Sequence, residues 1–459
     1  MPSTRREFLS QAALSVAVAG IGPGVASVVQ ALQQSPSSRP YLELALRCAQ
    51  WIDKSAQNLD GALAWPADPL KPASIGLDYY NGMPGIVVFY ANLARATGDA
   101  RWRTRAEQGA QYLVSQSARA SDKLNAGLYT GLAGLAGTYM VLGETPELGA
   151  WTQTARDVTA RLAARARTVA DGVEWLDSND IISGTAGIGL LLHQAAQKWN
   201  DKALADLSIR AGKRLIQTAQ PAEGGLMWFP SVSLTQRNYP NFSHGTAGVA
   251  YFLATLYGST KDKIFLDAAL AGAKYLDAIA TRRNGARAIF HLSDGGTDRF
   301  YLSWCHGPVG TARLFDRLYT TTGEARWRQW IDELTAWVVQ SGAPEQQSAG
   351  YWNNISQCCG AAGIGQYCID LTRHYKPVAA AAIDALRQRV PAHLTSRATD
   401  DATGLRWVQA ENRTQPENLI AQTGFMQGAA GVGSFFLQLD AFSRGRAWAT
   451  PLPDTPWTA

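Results

Sequence analysis

A Gly-x-x-Gly turn that opens an apolar helix occurs seven times in this chain, and this repeat constrains the fold more than any other feature. The turns begin at Gly82, Gly131, Gly184, Gly245, Gly307, Gly360 and Gly428. Successive turns start 49 to 68 residues apart, a period typical of a closed or solenoidal array of repeats rather than of independent domains. The sequence therefore predicts one repetitive architecture over most of its 459 residues.

Each repeat contains two kinds of helix. The segment after each turn is apolar on nearly all sides, as in GVAYFLATLYG, and this pattern predicts a buried inner helix. The segment before each turn is amphipathic, as in DKIFLDAALAGAKYLDAIATRR, and predicts an outer helix that faces solvent on one side. Glycine suits the turns because it tolerates positive φ and lets neighbouring helices approach closely.

A short extended piece centred on an aromatic residue is predicted between each outer helix and the next turn. The seven aromatic residues are Trp65, Tyr129, Trp175, Trp228, Phe290, Trp352 and Trp407. The repeat unit is therefore outer helix, extended piece, glycine turn and inner helix.

The N-terminus has the features of an export signal. The pair Arg5 and Arg6 precedes a weakly apolar run of Ala, Val and Gly, which matches a twin-arginine signal peptide. Glycine and proline interrupt the run too early for a stable membrane anchor. We expect residues 1–31 to be removed after Ala26 or Ala31, and the twin-arginine machinery to deliver the protein to the periplasm or the exterior.

The remaining chain divides into three parts. Residues 32–40 are expected to form a flexible spacer, residues 41–445 the repeat domain, and residues 446–459 a C-terminal tail. The formal net charge is +5, without a cluster of Lys and Arg, so the composition gives no reason to expect nucleic acid as a partner.

Two of the five cysteines have an ordinary structural interpretation. An odd number of cysteines in an exported protein argues against a complete disulfide framework. Cys48 and Cys368 fall within predicted helices, where a free cysteine usually acts as a small buried apolar residue.

The other three cysteines are metal-ligand candidates. Cys305, Cys358 and Cys359 stand before the glycine turns of consecutive repeats, and equivalent positions of a ring face the same end of its central cavity. Three thiolates could therefore converge on one Zn²⁺, and three protein ligands plus an exchangeable position are typical of catalytic zinc. On the residues alone, a disulfide between Cys305 and one of the other two is an equally good interpretation.

Two further polar residues occupy neighbouring turns. His244 directly precedes Gly245, and Asp180 lies four residues before Gly184. Their register with the cysteines predicts an acid–base pair beside the metal.

At these motifs the chain resembles the lanthionine synthetase C family. The matching residues are Asp180 in DIISG, His244 in SHGTAG, Cys305 in WCHG, and Cys358 and Cys359 in CCG. The resemblance covers residues 41–445 and implies an all-α fold, an α/α toroid of seven inner and seven outer helices. It also implies a central zinc ion held by the three cysteines.

The resemblance implies addition of a thiol to dehydroalanine or dehydrobutyrine, which gives a thioether. The substrate would be a dehydrated peptide, or a small-molecule thiol with a dehydroamino acid. His244 would protonate the enolate carbon or serve elsewhere in proton transfer, and Asp180 would help orient or deprotonate the substrate. His306 would line the cavity or orient a thiolate ligand by hydrogen bonding. Cys359 stands where the family more often has histidine, and an all-thiolate set should leave a bound substrate thiolate more nucleophilic.

Two other functions fit the same sequence. A carbohydrate-active enzyme on a similar ring would need a carboxylate pair, which Asp177 with Asp180, or Asp180 with Glu223, could supply. A non-catalytic, zinc-stabilised module that binds peptides or glutathione would need the cysteines but not Asp180 and His244.

Overall fold

The computed structural model describes residues 39–120, 123–233, 237–293, 297–375, 379–447 and 452–457. The expected signal peptide, and the spacer up to residue 38, lie outside the described residues. Within the described residues, no helix combines the length and the apolarity needed to cross a bilayer.

Fourteen helices alternate between an outer and an inner layer in the described part of the chain. The outer helices are α1 (Pro40–Lys54), α3 (Ala100–Arg119), α5 (Trp151–Ala164), α7 (Lys202–Thr218), α9 (Lys263–Ile279), α11 (Ala325–Gln340) and α13 (Ala380–Ser396). The inner helices are α2 (Met83–Thr97), α4 (Leu132–Gly143), α6 (Thr185–Trp199), α8 (Thr246–Thr260), α10 (Pro308–Thr322), α12 (Ala361–His374) and α14 (Ala429–Ser443).

The inner helices form a closed ring. Each packs against the inner helix of the next repeat, and α14 packs against α2. Each inner helix also packs on the outer helix that follows it in the sequence, whereas α14 packs on α1. The predicted α/α toroid of seven inner and seven outer helices is confirmed, and its first outer helix is paired with its last inner helix.

Burial distinguishes the two layers as their sequences predict. In α4 every residue from Leu132 to Leu142 is buried, because the helix has protein on all sides. In α5 the buried residues are Ala155, Val158, Thr159 and Leu162. Their spacing places them on one stripe of the helix, which leaves the opposite face to solvent.

Antiparallel hairpins follow five of the outer helices. Their strands are β1 (Gln57–Leu59) with β2 (Ala62–Ala64), β3 (Arg167–Val169) with β4 (Gly172–Glu174), β5 (Gln220–Ala222) with β6 (Gly225–Met227), β7 (Thr281–Arg283) with β8 (Ala286–Ala288), and β9 (Thr399–Asp401) with β10 (Gly404–Arg406). A shorter pair, β11 (Gln409–Ala410) with β12 (Leu419–Ile420), lies before the seventh turn.

The extended pieces expected at Tyr129 and Trp352 are not strands in the structure. The backbone of Tyr129 bonds to neighbouring turns instead, donating to Ile182 and accepting from Tyr80. Before Trp352 there is only an isolated bridge between Ser348 and Tyr351.

Tryptophans fix three hairpins to the ends of outer helices. Each indole N–H donates, at 2.7 Å, to the carbonyl oxygen thirteen residues earlier, in the last turn of the preceding helix. The three pairs are Trp175 with Leu162, Trp228 with Leu215, and Trp407 with Leu394. This bond satisfies a carbonyl that the helix end leaves without an intrahelical partner.

The turn glycines serve close packing rather than an unusual backbone conformation. Each is the residue that caps its inner helix, and its φ is negative in all seven turns. A Cβ on Gly245, whose φ is −148°, would collide with the carbonyl oxygen of Tyr239. The expectation of positive φ is therefore wrong, and the expectation of close approach is correct.

Residues 452–457 of the C-terminal tail lie inside the ring. The Asp454 carboxylate accepts hydrogen bonds from the Tyr129 hydroxyl at 3.0 Å and from the Trp304 indole at 2.9 Å. The Trp457 indole donates to Asp316 at 2.9 Å. All of these residues are buried, so the tail is part of the folded core.

Candidate active site

A ring of backbone hydrogen bonds joins the seven turns. Its members stand two positions before the first glycine of each motif: Tyr80, Tyr129, Ile182, Ser243, Cys305, Cys358 and Met426. Each amide nitrogen lies 2.8 to 3.1 Å from the carbonyl oxygen of the next member, except in turn three, where Ile181 donates to Ser243 at 3.2 Å. The Met426 amide donates to Tyr80 and closes the ring. Equivalent positions of the repeats therefore lie side by side.

This ring brings the three turn cysteines together. The Cys305 Sγ lies 3.2 Å from the Cys359 Sγ, which lies 3.4 Å from the Cys358 Sγ. These separations exceed the S–S bond length of about 2.05 Å, and all three cysteines are free. The alternative disulfide is therefore absent from the described structure.

The cluster fits a zinc ion by its donor chemistry. The three Sγ atoms lie within 4.8 Å of one another. Zinc–sulfur bonds of about 2.3 Å place tetrahedral ligands roughly 3.8 Å apart, so the sulfurs need to separate by only about half an ångström.

Burial disfavours the thiolate form of the clustered cysteines. It raises the pKa of the Cys305 and Cys358 thiols well above the usual range. The hydrogen bond with Cys305 is the largest cause of a similar rise in the pKa of Cys359. Deprotonation of the three thiols is therefore expected to be coupled to the binding of a cation.

Asp180 and His244 form a direct pair from neighbouring turns. The Nδ1 of His244 lies 2.5 Å from the Oδ2 of Asp180. The other carboxylate oxygen of Asp180 accepts the backbone amides of Ser183 at 2.8 Å and Gly184 at 2.9 Å. The carboxylate is buried and fixed by its own turn, whereas about a third of the His244 side chain is exposed. Asp180 thus orients the imidazole and favours a proton on Nδ1.

The cysteines and His244 line one cavity of about 480 Å³. Aromatic rings form much of its wall. His306 lies 5.6 Å from His244 and 4.6 Å from His291, between ring centroids, and His291 stacks on Tyr301 at 4.1 Å. His306, which the sequence assigned to the cavity lining, is in this wall.

The two wall histidines are neutral at physiological pH. Burial, with a smaller effect from Arg413, lowers the pKa of His291 to about 4. Burial, with smaller effects from His291 and His244, lowers the pKa of His306 well below its usual value. The cavity wall beside the cysteines is therefore aromatic and largely uncharged.

Two long segments that precede turns line part of the cavity, which we call its mouth. The segment before turn four contributes Pro230 and Tyr239, and the segment before turn seven contributes Glu411, Asn412 and Arg413. The mouth therefore combines one acidic, one basic and several neutral groups.

Two carboxylates that the carbohydrate-active alternative requires, Asp177 and Glu223, lie outside the cavity lining. Asp177 accepts hydrogen bonds from the backbone amides of Val232 and Ser233 at the surface. Glu223 is exposed at the tip of the β5–β6 hairpin, and neither residue is among those that line the cavity.

Sequence reasoning missed three residues of the site. Tyr80 and Gln427 occupy the same positions before turns one and seven as Cys358 and Cys359 occupy before turn six, so an alignment of the seven turns would have found them. His291 lies in a long segment before turn five and has no such register. The sequence indicates it only through its residue type, because the chain has six histidines and three of them line this cavity.

Comparisons with known proteins agree with this architecture. The model of the family described as "Lanthionine synthetase C-like protein" matches residues 73–450. Among solved structures, nisin cyclase is similar with a TM-score of 0.61 and 16% identity, over 90% of this chain and 95% of that chain. The Lin0763 protein from Listeria innocua is similar with a TM-score of 0.51 and 11% identity, over 88% and 97%. Among curated proteins, no sequence matches significantly.

The two structural likenesses concern the fold alone, because their sequence identities are low. The family match is different, since it covers most of the chain and includes all seven glycine turns. The chain belongs to the lanthionine synthetase C-like family.

Proposed function

We propose that this protein catalyses the addition of a thiol to dehydroalanine or dehydrobutyrine, forming a thioether. The observation that carries the proposal is the convergence of three cysteine thiols and His244, which Asp180 orients, on one aromatic-walled cavity. Membership of the family, and likeness in fold to a protein named nisin cyclase, support the same reaction class.

Cys305, Cys358 and Cys359 would hold the metal as thiolates. A zinc ion bound there would lower the pKa of a substrate thiol in the remaining coordination position, and so supply a thiolate near pH 7. The cysteines are rigid ligands, because Cys305 and Cys358 belong to the backbone ring and are hydrogen-bonded to each other through it.

His244 would carry out the proton transfer that the addition requires. The sulfur forms a bond to the β-carbon of the dehydroamino acid, and the electrons of the double bond move to give an enolate. The imidazole would accept the proton that the substrate thiol loses, and the α-carbon would then take this proton from the imidazolium, so that the thiol has added across the double bond without a leaving group. Because Asp180 engages Nδ1, Nε2 is the nitrogen available for this transfer.

The cavity suits a peptide or a small thiol such as glutathione. Its neutral aromatic wall can accept an uncharged dehydroamino acid, and Arg413 and Glu411 at the mouth can pair with charged groups of a peptide. We propose a dehydrated peptide, or a small thiol with a dehydroamino acid, as substrate.

Metal content and turnover, measured on the same samples, test the proposal. We expect close to one zinc per chain by mass spectrometry, lost in Cys305→Ala and in Cys359→Ala. Cys368→Ala is the matched control, because Cys368 is buried in α12 and is not part of the cluster. Turnover is measured as a peptide mass that increases by the mass of the thiol. A wild-type protein without metal, or with a cysteine disulfide in solution, would contradict the proposal.

His244→Ala separates the enzyme from a binding module. We expect this variant to keep its zinc and lose turnover by about 100-fold or more, because general acid catalysis contributes that much. Unchanged turnover, or a wild type that binds dehydrated peptide but never forms a thioether, would favour the zinc-stabilised module.

We also propose that the protein works after twin-arginine export. Arg5→Lys with Arg6→Lys should retain the protein in the cytoplasm, which cell fractionation would detect. Equal export of the variant and the wild type would contradict this assignment.

A further inference from the structure

Tyr80 and Gln427 come from the first and last turns and meet at the cysteine cluster. The Tyr80 hydroxyl lies 2.9 Å from the Cys358 Sγ. The Gln427 side-chain nitrogen lies 2.9 Å from the same hydroxyl, and 4.0 Å from the Cys359 Sγ. The proposed reaction gives neither residue a role.

The hydrogen bonds run in one direction, towards the sulfur. A metal-bound thiolate has no proton, so the Tyr80 hydroxyl must donate to it. The Gln427 amide nitrogen donates to the Tyr80 oxygen, while the Gln427 carbonyl oxygen accepts from the Asn354 amide at 3.3 Å. Asn354 and Gln427, which are buried, and Tyr80, which is partly buried, thus form a chain of donors that ends on Cys358. Such a chain polarises each of its members and strengthens the last bond.

This chain makes the three sulfurs unequal. Among the described residues, the other side-chain groups within hydrogen-bond reach of these sulfurs are the cysteines themselves and the distant Gln427 amide. A donor on a thiolate withdraws negative charge from it, and bonds to charged acceptors are the stronger kind. Cys358 is therefore a weaker electron donor than it would be without the Tyr80 hydroxyl.

We infer that Tyr80, held by Gln427, is a positioning residue that fixes Cys358 as a metal ligand and reduces its electron donation to the metal. The inference rests on the proposed zinc site. Three thiolates with one Zn²⁺ carry a net charge of −1, and Tyr80 offsets part of that charge on the side of Cys358. The result is a cluster that binds the metal firmly and still polarises an incoming thiol.

The chain offers a matched control in Tyr129. This residue occupies the same position before turn two, and its ring lies 6.5 Å from that of Tyr80. Tyr129 is buried and Tyr80 is partly buried, but the Tyr129 hydroxyl donates to Asp454 and not to sulfur. Tyr129→Phe therefore removes a buried hydroxyl from the same ring of turns without touching the cluster.

The test uses full-length protein loaded with Co²⁺ for absorption spectra and with Zn²⁺ for affinity measured by chelator competition. In Tyr80→Phe we expect the sulfur-to-cobalt charge-transfer band to move to longer wavelength, because the sulfur electrons lose a stabilising donor. We expect zinc affinity to fall about 10-fold, as for the loss of other groups that support metal ligands. Gln427→Met should move both quantities in the same direction by less, and Tyr129→Phe should match the wild type.

The outcomes separate this inference from the proposed function. A wild type that binds neither Co²⁺ nor Zn²⁺ would contradict both the proposed function and the inference. A metal-binding wild type whose spectrum and affinity are unchanged in Tyr80→Phe would overturn the inference alone, as would equal effects in Tyr129→Phe. If Tyr80→Phe fails to fold, Gln427→Met decides, and its failure to move the band overturns the inference.

Discussion

Asp180→Asn replaces the carboxylate oxygen that faces His244 with an amide NH₂ group and keeps the shape of the side chain. In the wild type one carboxylate oxygen accepts two backbone amides and the other accepts from His244. Asparagine can keep the first oxygen as acceptor, but its amide group can only donate where His244 now donates. The substitution therefore selects the imidazole tautomer with its proton on Nε2.

Two different magnitudes follow from this geometry. Turnover should fall about 100- to 10,000-fold, the usual contribution of a positioned acid or base. The free energy of unfolding should fall by only about 1 kcal/mol, since the two amides keep a neutral acceptor. Asp180→Ala leaves the amides of Ser183 and Gly184 without this acceptor, at about 1–3 kcal/mol each, so it should cost about 2–6 kcal/mol.

The assay compares the three proteins by turnover with glutathione and a dehydroalanine peptide, by urea denaturation and by zinc content. The asparagine variant should combine wild-type zinc with low turnover and nearly wild-type stability. Wild-type turnover in Asp180→Asn would refute the role given to the carboxylate. A stability loss equal to that of the alanine variant would refute the separation of its two oxygens.

Three other predictions concern the fold. Trp228→Phe should lower the free energy of unfolding by about 1–3 kcal/mol, because the hydrogen bond of its indole is lost. Trp65→Phe should lower it less, because the Trp65 indole nitrogen has no hydrogen-bond partner among the described residues. Equal losses of the two variants in urea titrations would contradict this. Burial raises the pKa of Asp370 to about 7, so its proton uptake makes wild-type stability fall from about pH 4 to pH 7. Asp370→Asn should therefore gain a few kcal/mol relative to the wild type at pH 8 but nothing at pH 3, and a gain independent of pH would contradict this. Removal of residues 452–459 should lower the free energy of unfolding by about 3 kcal/mol or more, because the hydrogen bonds to Asp454 and the packing of the tail are lost. The midpoint of urea denaturation should fall accordingly, and an unchanged midpoint would contradict this.

The predictable part of this molecule is the part that repeats. The glycine turns are local signals, and one position in each turn predicts which side chains share an end of the ring. This register sufficed for Cys305, Cys358, Cys359 and His244, whose convergence needs no knowledge of distant packing.

The missed parts depend on contacts that no local pattern encodes. Tyr80 reaches Cys358 across 278 residues of chain, and the bond exists only because the ring closes. The docking of Asp454 inside the ring depends on the positions of Tyr129 and Trp304, which belong to different repeats. The pairing of α14 with α1 follows from closure in the same way.

Closure of the ring also sets the order in which the protein can become functional. Cys358 is held by turn seven through its backbone and by turn one through Tyr80, so both ends of the repeat domain must be present before its surroundings are complete. A nascent chain that has emerged only as far as α12 contains all three cysteines but lacks Met426 and α14. Its inner layer has two open edges, a state prone to association. The three-cysteine cluster therefore has its complete surroundings only after synthesis is finished, and a chain truncated late in translation would contain the cysteines without the complete site.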